Sequence, residues 1–292
     1  MKIILIIYFY LFFYFFASGT PLEINVTDGK IEPLPVAITK FNFENIKEQN
    51  VSIKMHEVIL NNLNNSGLFK TIPDNAFLQS SKEVFLQPIF ADWRIIDANL
   101  ILSGQIKMQD TTLNIKFKLW DVYEEKLLVS KKITNVSKNK WRVLSHIISN
   151  IIYESVTGEK GYFDTKIVYI HEDVIDKVKQ KRIALMDYDG KNHKYLTAGI
   201  NLVLTPRFAP NGKEIVFLSY ENNRPSVYRL NIRSKKKEIL GNFEGMSFAP
   251  RFSPDGRNII FALTEKGRSN IFLYNLEDKA TTKITQNKYI NI

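Results

Sequence analysis

Residues 249–261 read APRFSPDGRNIIF, and an almost identical phrase, TPRFAPNGKEIVF, occupies residues 205–217. The two stretches are 44 residues apart, and seven of the twelve positions from 206 to 217 carry the same residue in both. In each, two prolines, an arginine, an aromatic residue and a turn glycine lead into an apolar run. A phrase of this length that returns at a fixed distance marks an internal repeat, and the repeat decides the fold.

The 44-residue spacing continues beyond the quoted phrase, because Leu196, Leu240 and Ile284 are related by the same distance. It divides the C-terminal part of the chain into three units, at about 163–204, 205–248 and 249–292. Units of about 40–45 residues that hold several short strands are typical of β-propeller blades. Helical repeats of similar length do not fit, because the apolar runs are short, strand-like and separated by turn residues.

The quoted phrase supplies the first strand, the first turn and the second strand of one blade. APRF is the predicted inner strand, SPDG the turn and NIIFALT the second strand, while IFLYNL and TTKIT complete the sheet. Pro254 presets the turn and Gly256 takes its left-handed position. Phe208 and Phe252 are expected to fill the space between blades. Because SPDG lacks the ligand spacing of a calcium loop, we interpret it as structural.

The helical period appears only before the repeats. Apolar residues recur every three or four positions across 51–65 and again across 141–152. Ser137 is the predicted N-cap of the second helix, and Gly158 is its predicted stop. Between the helices, alternating residues predict an antiparallel meander at 98–108, 113–119 and 127–133. We therefore predict an α/β domain at 31–156, a linker at 157–164 and an all-β partial propeller at 163–292.

The N-terminus predicts export. Lys2 is followed by an unbroken apolar run at 3–16, which is 14 residues long, and then by the small residues at 17–19. The run has the length of a signal-peptide core and is short for a membrane span of about 20 residues. We predict a signal peptide at 1–19, cleaved after Gly19, with an uncleaved anchor as the alternative. Residues 20–30 then form an N-terminal arm.

Composition and motifs point away from catalysis, cofactors and nucleic acid. The formal charge is +10, but the basic residues are scattered, and no basic helix with interleaved aromatic residues occurs. The chain has no cysteine, which excludes disulfides, thiolate metal sites and a cysteine nucleophile. It has no Gly-x-Ser-x-Gly elbow, and its four histidines lie outside any His-Glu-x-x-His pattern. We predict no catalytic residue, no metal site and no small-molecule substrate.

Three further segments indicate a family. The segments FADWRIIDANLILSGQI at 90–106, KLWDVYEEKLL at 118–128 and SVTGEKGYFDTKIVYI at 155–170, together with the PRFSPDG repeats, resemble the TolB family. This family belongs to the Tol–Pal envelope system of Gram-negative bacteria. The resemblance implies a periplasmic, monomeric, non-enzymatic protein with an N-terminal α/β domain and a six-bladed propeller. It also implies a role in outer-membrane integrity and in constriction at cell division.

The resemblance implies two protein partners, of which the first is the C-terminal domain of TolA. TolA binds the N-terminal arm, whose residues in this chain are Leu22, Glu23, Ile24, Asn25, Val26, Thr27 and Asp28. The alternation of apolar residues in the arm fits a strand that adds to the edge of a partner's sheet. It fits equally a strand that pairs within the chain's own domain.

The second implied partner is the lipoprotein Pal, which binds the propeller face opposite the SPDG turns. That face is expected to hold the connections that precede the PRF motifs, including 199–204. The residues implied to contact Pal are Met246, Ser247, Phe248, Ala249, Lys288, Tyr289 and Ile290. Aromatic residues and Met concentrate at interface centres, which makes Met246, Phe248 and Tyr289 the expected anchors. Packing between blades is the alternative role for the same three residues.

The chain departs from the family in its number of repeats. Three units do not close a propeller, since known rings have about four to eight blades. We expect a C-terminally truncated or split form of the family, with open blade faces. Two other interpretations stay open: the propeller of an exported prolyl-oligopeptidase-like hydrolase without its catalytic domain, and an adaptor propeller with other ligands.

Overall fold

The computed structural model describes residues 32–221, 224–241, 246–265, 267–286 and 289–291. The predicted signal peptide, the whole N-terminal arm and Lys288 lie outside the described residues. An N-terminal region of helices around one sheet is followed by a strand-rich region of three sheets, which confirms the predicted fold class. Within the described ranges, no helix combines the length and the apolar character needed to cross a membrane.

The N-terminal region, from residue 32 onward, is built on one five-stranded sheet, in the order β2-β1-β3-β4-β5. Its strands are β1 (Leu34–Ile38), β2 (Phe69–Thr71), β3 (Leu100–Gln109), β4 (Thr112–Asp121) and β5 (Lys126–Ser137). Its helices are α1 (Ile46–Asn65), α2 (Ser81–Leu86), α3 (Phe90–Ile95) and α4 (Trp141–Thr157). Strand β1 pairs in parallel with β2 and β3, while β3, β4 and β5 form the predicted antiparallel meander.

Helices pack on both faces of this sheet. On one side, α1 and α4 pack on the sheet around buried side chains that include Ile59, Phe117 and Ile148. On the other side, α2 and α3 enclose a smaller cluster around Trp93 and Ile101. Helices α2 and α3 are not predicted by the sequence pattern. Each is only six residues long, which is too short for a helical period to emerge.

One predicted end of helix α4 is correct and the other is wrong. Gly158 follows α4 with a φ of 74°, and its N–H donates to the Glu154 carbonyl, as expected for a left-handed C-cap. Ser137, the predicted N-cap, is instead the last residue of β5, because its backbone still pairs with Thr112 on β4. A short 3-10 turn separates it from the helix.

In the described residues, the C-terminal region forms three antiparallel sheets, each from one contiguous stretch of chain. The first sheet holds β6 (Lys166–Ile175), β7 (Val178–Asp187) and β8 (Lys194–Tyr195). The second holds β9 (Val203–Phe208), β10 (Glu214–Ser219), β11 (Ser226–Asn231) and β12 (Lys237–Ile239). The third holds β13 (Met246–Phe252), β14 (Asn258–Glu265), β15 (Arg268–Asn275) and β16 (Thr281–Lys283). Within each sheet the strands lie side by side in chain order, as in a propeller blade.

Neighbouring sheets stack through apolar faces that recur with the 44-residue spacing. Phe217 of β10 packs between the first and second sheets, and Phe261 of β14 takes the same place between the second and third. Both side chains are at most 2 % exposed. Phe208 and Phe252 pack against these two clusters, which confirms that they fill the space between blades.

The inner strand of the third sheet begins earlier than the sequence predicted. Strand β13 starts at Met246, so the segment from Met246 to Ala249 is part of a strand and not of a connection. A β-bulge accommodates Pro250 in this strand: the pairing shifts between Phe248 and Arg251, and Ala249 has a φ of 47°. Because Pro250 has no N–H, the bulge lets the strand continue where a regular ladder would lack a donor.

The SPDG turn forms as predicted. Gly256 has a φ of 72°, and its N–H donates to the Ser253 carbonyl at 2.9 Å. The Asp255 carboxylate accepts hydrogen bonds from the Ser253 hydroxyl at 2.5 Å and from the Arg257 N–H at 3.0 Å. The aspartate is therefore engaged in holding the turn, as its position in the repeat suggests.

The first sheet differs from the other two. Ile167 on β6 pairs with Met186 on β7. Met186 lies 44 residues, or one repeat, before Leu230 on β11, and Leu230 pairs with Ile215 on β10. Strand β6 therefore corresponds to the second strand of the other sheets. In the part of the chain that the structure describes, the first sheet has no strand that corresponds to β9 or β13.

The ends of the strands define two faces of the propeller region. The turn face carries the SPDG turn between β13 and β14, the corresponding turn between β9 and β10, and the turns that follow β7, β11 and β15. The loop face carries the β6–β7, β10–β11 and β14–β15 turns together with the connections from one sheet to the next.

The N-terminal region packs on the turn face, at the first sheet. Phe163 is 0 % exposed, and its ring centroid lies 5.8 Å from that of Tyr153 on α4 and 5.9 Å from that of Tyr188 after β7. Its N–H donates to the Asn150 side chain at 2.8 Å. Gly161 lies so close to α4 that an added β-carbon would come within 2.5 Å of the Asn150 Cα. The predicted linker is thus a packed junction, and the loop face points away from the N-terminal region.

Replacing Phe163 by alanine tests the junction. We expect Phe163→Ala to lower the free energy of unfolding by about 3–5 kcal/mol, because it leaves a cavity among aromatic rings. The matched control is Phe43→Ala, since Phe43 is 42 % exposed and its truncation should cost only about 0.5 kcal/mol. Urea denaturation followed by tryptophan fluorescence measures both. Equal losses in the two variants would contradict a packed junction.

Candidate partner-binding face

Exposed apolar side chains of the propeller region concentrate on the loop face. Among the described residues there, seven large apolar side chains are between 39 % and 87 % exposed: Val174, Ile175, Val178, Ile200, Leu202, Tyr289 and Ile290. By contrast, the turns of the turn face, all of which lie within the described ranges, expose no large apolar side chain. Exposed apolar patches of this kind mark sites of protein–protein contact. The loop face is therefore the candidate site.

A tight hairpin presents three of these side chains. Strands β6 and β7 are joined by a two-residue turn in which Asp176 has a φ of 50° and Lys177 a φ of 66°. Two successive positive φ values belong to a type I′ turn, whose twist matches that of the flanking strands. Val174, Ile175 and Val178 stand beside this turn, on paired strands, and so project from a rigid tip.

The connection between the first and second sheets presents Ile200 and Leu202. The Leu202 carbonyl accepts a hydrogen bond from the Tyr220 N–H at 3.0 Å, which ties the connection to the loop after β10. Gly199 has a φ of 87°, and an added β-carbon would lie 2.8 Å from the Arg182 Nε. The connection is therefore fixed against the first sheet, while Ile200 at its outer side is 87 % exposed.

Residues after β16 return to the same face at the third sheet. The Asn291 N–H donates to the Ser269 carbonyl at 3.1 Å. Ser269 pairs with Thr264, and Thr264 also pairs with Met246 at the start of β13. The structure thus brings the backbone of 289–291 to the end of the sheet where β13 begins, with Tyr289 exposed.

The other residues implied to contact Pal occupy different surroundings. Phe248 lies in β13, opposite Ala262, and is half-buried on the side of the third sheet. Its counterpart one repeat earlier is Leu204, which packs between the second and third sheets. Ala249 is exposed at the bulge. The position of Phe248 is therefore that of a residue between blades and not that of a loop-face side chain.

The hairpin tip at Val174 to Val178 was not predicted from the sequence. Val174 and Ile175 fall in a run that reads as an ordinary strand, so nothing in periodicity separates them from core residues. A detectable signal existed in the spacing. A strand whose last residues are apolar, followed after two polar residues by Val178, predicts apolar side chains at the tip of a hairpin.

A buried cluster of charged groups joins α4 to the first sheet on the opposite, turn face. Arg142 forms an ion pair with Asp189, and its Nε lies 3.9 Å from the Asp187 carboxylate. Lys166 donates to the other oxygen of Asp187 at 2.5 Å. His146 lies beside them, with its Nε2 3.9 Å from the Asp189 carboxylate. Histidine and two carboxylates are metal-ligand types, but here Arg142 and Lys166 neutralise both carboxylates, so we interpret the cluster as an ion-pair network.

The protonation of His146 follows from its burial. The side chain is almost fully buried, and its Nδ1 lies 2.9 Å from the Asn62 amide nitrogen on α1, while Nε2 has no hydrogen-bond partner among the residues that the structure describes. Burial lowers the pKa of His146 below its ordinary value of 6.5, and this effect exceeds the opposing attraction of Asp189. Asp187 is the reverse case: burial raises its pKa, but the hydrogen bonds from Lys166 and Asn192 outweigh burial and lower it.

Two family models match the chain. One is described as the TolB amino-terminal domain and matches residues 22–128, and the other is described as the TolB beta propeller domain and matches residues 153–292. Together they span the N-terminal region and the three sheets. Both regions therefore match one family, which favours that interpretation over a hydrolase propeller or an unrelated adaptor.

Curated relatives and a solved structure agree with the family models. The Tol-Pal system protein TolB of Rickettsia felis is 43% identical over 247 residues, which cover 84% of this chain and 55% of the relative. That of Pelagibacter ubique is 41% identical over 237 residues, which cover 78% of this chain and 53% of the relative. The crystal structure of TolB from Acinetobacter baumannii superposes with a TM-score of 0.79 at 25% identity, covering 89% of this chain and 62% of that one. The chain spans about half the length of the curated relatives it matches.

The lowered pKa of His146 predicts how stability depends on pH. Because the folded state favours the neutral ring, the unfolded chain binds more protons below the ordinary value of 6.5. The stabilisation is therefore fully present above pH 6.5 and is lost as the pH falls below it. We expect the urea midpoint to drop between pH 7.5 and pH 5.5, and to drop less in His146→Gln.

His193→Gln is the matched control for this experiment, because His193 is exposed. It should keep the pH dependence of the parent chain. If His146→Gln and the parent chain lose stability in parallel, His146 is not the group that titrates.

Proposed function

The chain belongs to the TolB family, and from that membership we propose that it is a non-enzymatic component of the Tol–Pal system that binds Pal through its loop face and TolA through its N-terminal arm. It acts in the periplasm after cleavage near Gly19, and it supports outer-membrane integrity and constriction at cell division. The observation that carries the proposal is the concentration of exposed apolar side chains on the loop face, opposite the docked N-terminal region.

The arrangement of the loop face supports the Pal site. The turn face is partly occupied at the first sheet, where Phe163 and the ion-pair network attach the N-terminal region. The loop face offers apolar groups from the first sheet, from the connection to the second sheet and from the end of the third. Apolar anchors surrounded by polar residues are the usual centre of a protein–protein interface. Met246, Ser247, Lys288, Tyr289 and Ile290 belong to the proposed site, and the tip at Val174 to Val178 extends it.

The arm at 22–28 is the proposed TolA site. Its alternating Leu22, Ile24 and Val26 suit β-strand addition, in which backbone hydrogen bonds join the arm to the edge of a partner's sheet. The N-terminal sheet also ends in two edge strands among those described, β2 and β5, to which the same arm could add. The arm alternates between its own domain and TolA.

The histidines support a non-enzymatic role. His56 Nε2 lies 2.9 Å from the Ile38 carbonyl, and His146 is held in the ion-pair network, so both buried rings have packing and hydrogen-bonding roles. His171 is paired with Asp173 at 2.7 Å on the side of the first sheet. None of these three pairs a nucleophile with a base and a third orienting group, as covalent catalysis requires.

Charges placed on the loop face test the Pal site. We expect Val174→Asp and Ile200→Asp each to weaken binding of soluble Pal by at least about tenfold, or about 1.4 kcal/mol, because each would bury an unpaired carboxylate. Isothermal titration calorimetry measures the affinity. Ile95→Asp is the matched control, since Ile95 is 74 % exposed on α3 of the N-terminal region. Unchanged affinity in both loop-face variants would exclude this surface as the site.

Deletion of residues 22–28 tests the arm. The shortened chain should no longer retain the TolA C-terminal domain in a pulldown, and it should retain Pal as well as the parent chain does. A scrambled order of the same seven residues, which breaks the alternation, is the control for loss of length alone and should also fail to retain TolA. Retention of TolA by the deletion variant would place the TolA site elsewhere.

A further inference from the structure

Among the described residues, helices α2 and α3 cover only one end of their face of the N-terminal sheet. Ile101 of β3 and Trp120 of β4 lie in the buried cluster beneath these helices. The border of the covered part runs past Lys118, whose ammonium group donates to the Phe85 carbonyl near the end of α2 at 2.9 Å. Beyond Lys118, the same face continues on β3, β4 and β5 as an open depression with a volume of about 680 Å³.

Strand register places six polar side chains in this depression, in two rows of three. Directly opposite residues of paired strands share a face, and so do alternate residues of one strand. The first row crosses β3, β4 and β5 at Gln105, Lys116 and Lys132, and the second crosses them at Lys107, Asn114 and, past a bulge, Thr134. We call these six residues the basic patch. Its lysines are far apart in the sequence, so the sheet gathers charges that appear scattered along the chain.

Two lysines of the basic patch face each other without a compensating charge. Lys116 on β4 and Lys132 on β5 are directly paired, and both are exposed. Like charges at directly opposite positions destabilise a sheet. Within the described ranges, no carboxylate forms an ion pair with either lysine, and Glu44 binds only Lys107, at 2.7 Å. The arrangement therefore lowers the stability of the sheet unless a negative charge from outside lies on the patch.

Protection of the sheet edge does not account for this pair of lysines. Lysines on an edge strand hinder pairing with other chains, which explains Lys131 and Lys132, since β5 is the last strand of the sheet. Lys116 lies on β4, which pairs with β3 on one side and with β5 on the other. Its charge lines the depression and protects no edge.

We propose that the basic patch binds an extended acidic segment of a partner protein, with carboxylates at alternate positions. Alternate side chains of an extended segment are about 6.5–7 Å apart. Diagonal neighbours on paired strands, such as Lys107 and Lys116, are about 7–8 Å apart. Successive carboxylates of the segment therefore reach successive lysines, while Gln105, Asn114 and Thr134 donate hydrogen bonds to its backbone carbonyls.

The shape and chemistry of the patch favour a protein segment over a lipid surface or a glycan. A bilayer surface is flat on this scale, whereas the lysines lie in a depression bordered by α2. A sugar ring packs well against an aromatic side chain, and none of the six residues is aromatic. The ion pair of Lys107 with Glu44 is more than half exposed on both sides, and such pairs contribute little to stability, so a carboxylate of the partner can replace Glu44.

The position of the patch leaves the junction with the propeller region undisturbed. Helix α4, which carries Tyr153 of that junction, packs on the other face of the N-terminal sheet. A segment on the basic patch therefore binds without displacing α4. The proposal goes beyond the proposed binding of Pal and TolA and does not rest on either.

A labelled acidic peptide tests the proposal. The probe is a fluorescein-labelled peptide of alternating Glu and Thr, and fluorescence anisotropy measures its binding to the full chain purified from a periplasmic extract. We expect the double variant Lys116→Glu/Lys132→Glu to bind the probe at least about tenfold more weakly than the parent chain does. The matched control is Lys131→Glu/Lys138→Glu, which changes the net charge equally at exposed positions outside the patch. The control should keep the parent affinity.

A neutral variant separates binding from folding. Lys116→Gln removes the repulsion between the paired lysines, so its urea midpoint should equal or exceed that of the parent chain. Its affinity for the probe should nevertheless fall about threefold, because one of the three lysines is lost. A peptide of the same composition with all its Glu residues in one block should bind the parent chain more weakly than the alternating probe does.

Several outcomes would overturn the proposal. One is a parent chain that does not bind the probe, and another is a double variant that binds it as tightly as the parent. An equal loss in the control variant would mean that net charge alone attracts the peptide. Vesicles of phosphatidylglycerol test the other class of partner. If they retain the parent chain but not the double variant, while the probe is not bound, the patch recognises a membrane and not a protein segment.

Discussion

The packing of one sheet on the next is the contact on which the C-terminal region depends. Successive side chains of a strand point to opposite faces of the sheet. A sheet that packs between two other sheets therefore needs apolar residues on both of its faces. Strand β10 meets this need, with Phe217 facing the first sheet and Val216 facing the third. The 44-residue spacing places apolar residues on both faces of each successive sheet. The repeat in the sequence therefore reflects a repeated pattern of buried positions.

The junction with the N-terminal region determines which surface is left for partners. Phe163 and the ion pairs of Arg142 attach α4 to the turn face at the first sheet, so that part of the turn face is covered by the N-terminal region. The two faces also differ in chemistry. Side chains on the turn face are engaged in holding their own turns, as Asp255 is, whereas those at the hairpin tip and at Ile200 project into solvent.

Much of the fold could be predicted from the sequence, because it rests on periodicity and on turn residues. The meander, the blade strands and the turn at Gly256 all follow from patterns that act over a few residues. The incorrect predictions concern strand ends, which are determined by pairing with a neighbouring strand and not by the local sequence pattern. Ser137 stays in β5 because β4 pairs with it, and β13 reaches back to Met246 because a bulge accommodates Pro250. The loop face could be placed from strand order. The exposure of Val174 could not, because it depends on the residue at which the pairing of β6 with β7 ends, and amino-acid composition does not indicate that residue.

Each sheet is formed from a single contiguous stretch of chain, and this has a consequence for how the protein is made. A sheet of this kind can form as soon as its own residues have been synthesised, since its strands pair with their immediate successors. The newest sheet then offers an uncovered apolar side until the following one arrives. The N-terminal sheet behaves differently, because β1 must wait for β3 across more than 60 intervening residues. During synthesis, the uncovered apolar surface of the growing chain therefore moves from each sheet to the next, and it always belongs to the sheet that has formed last.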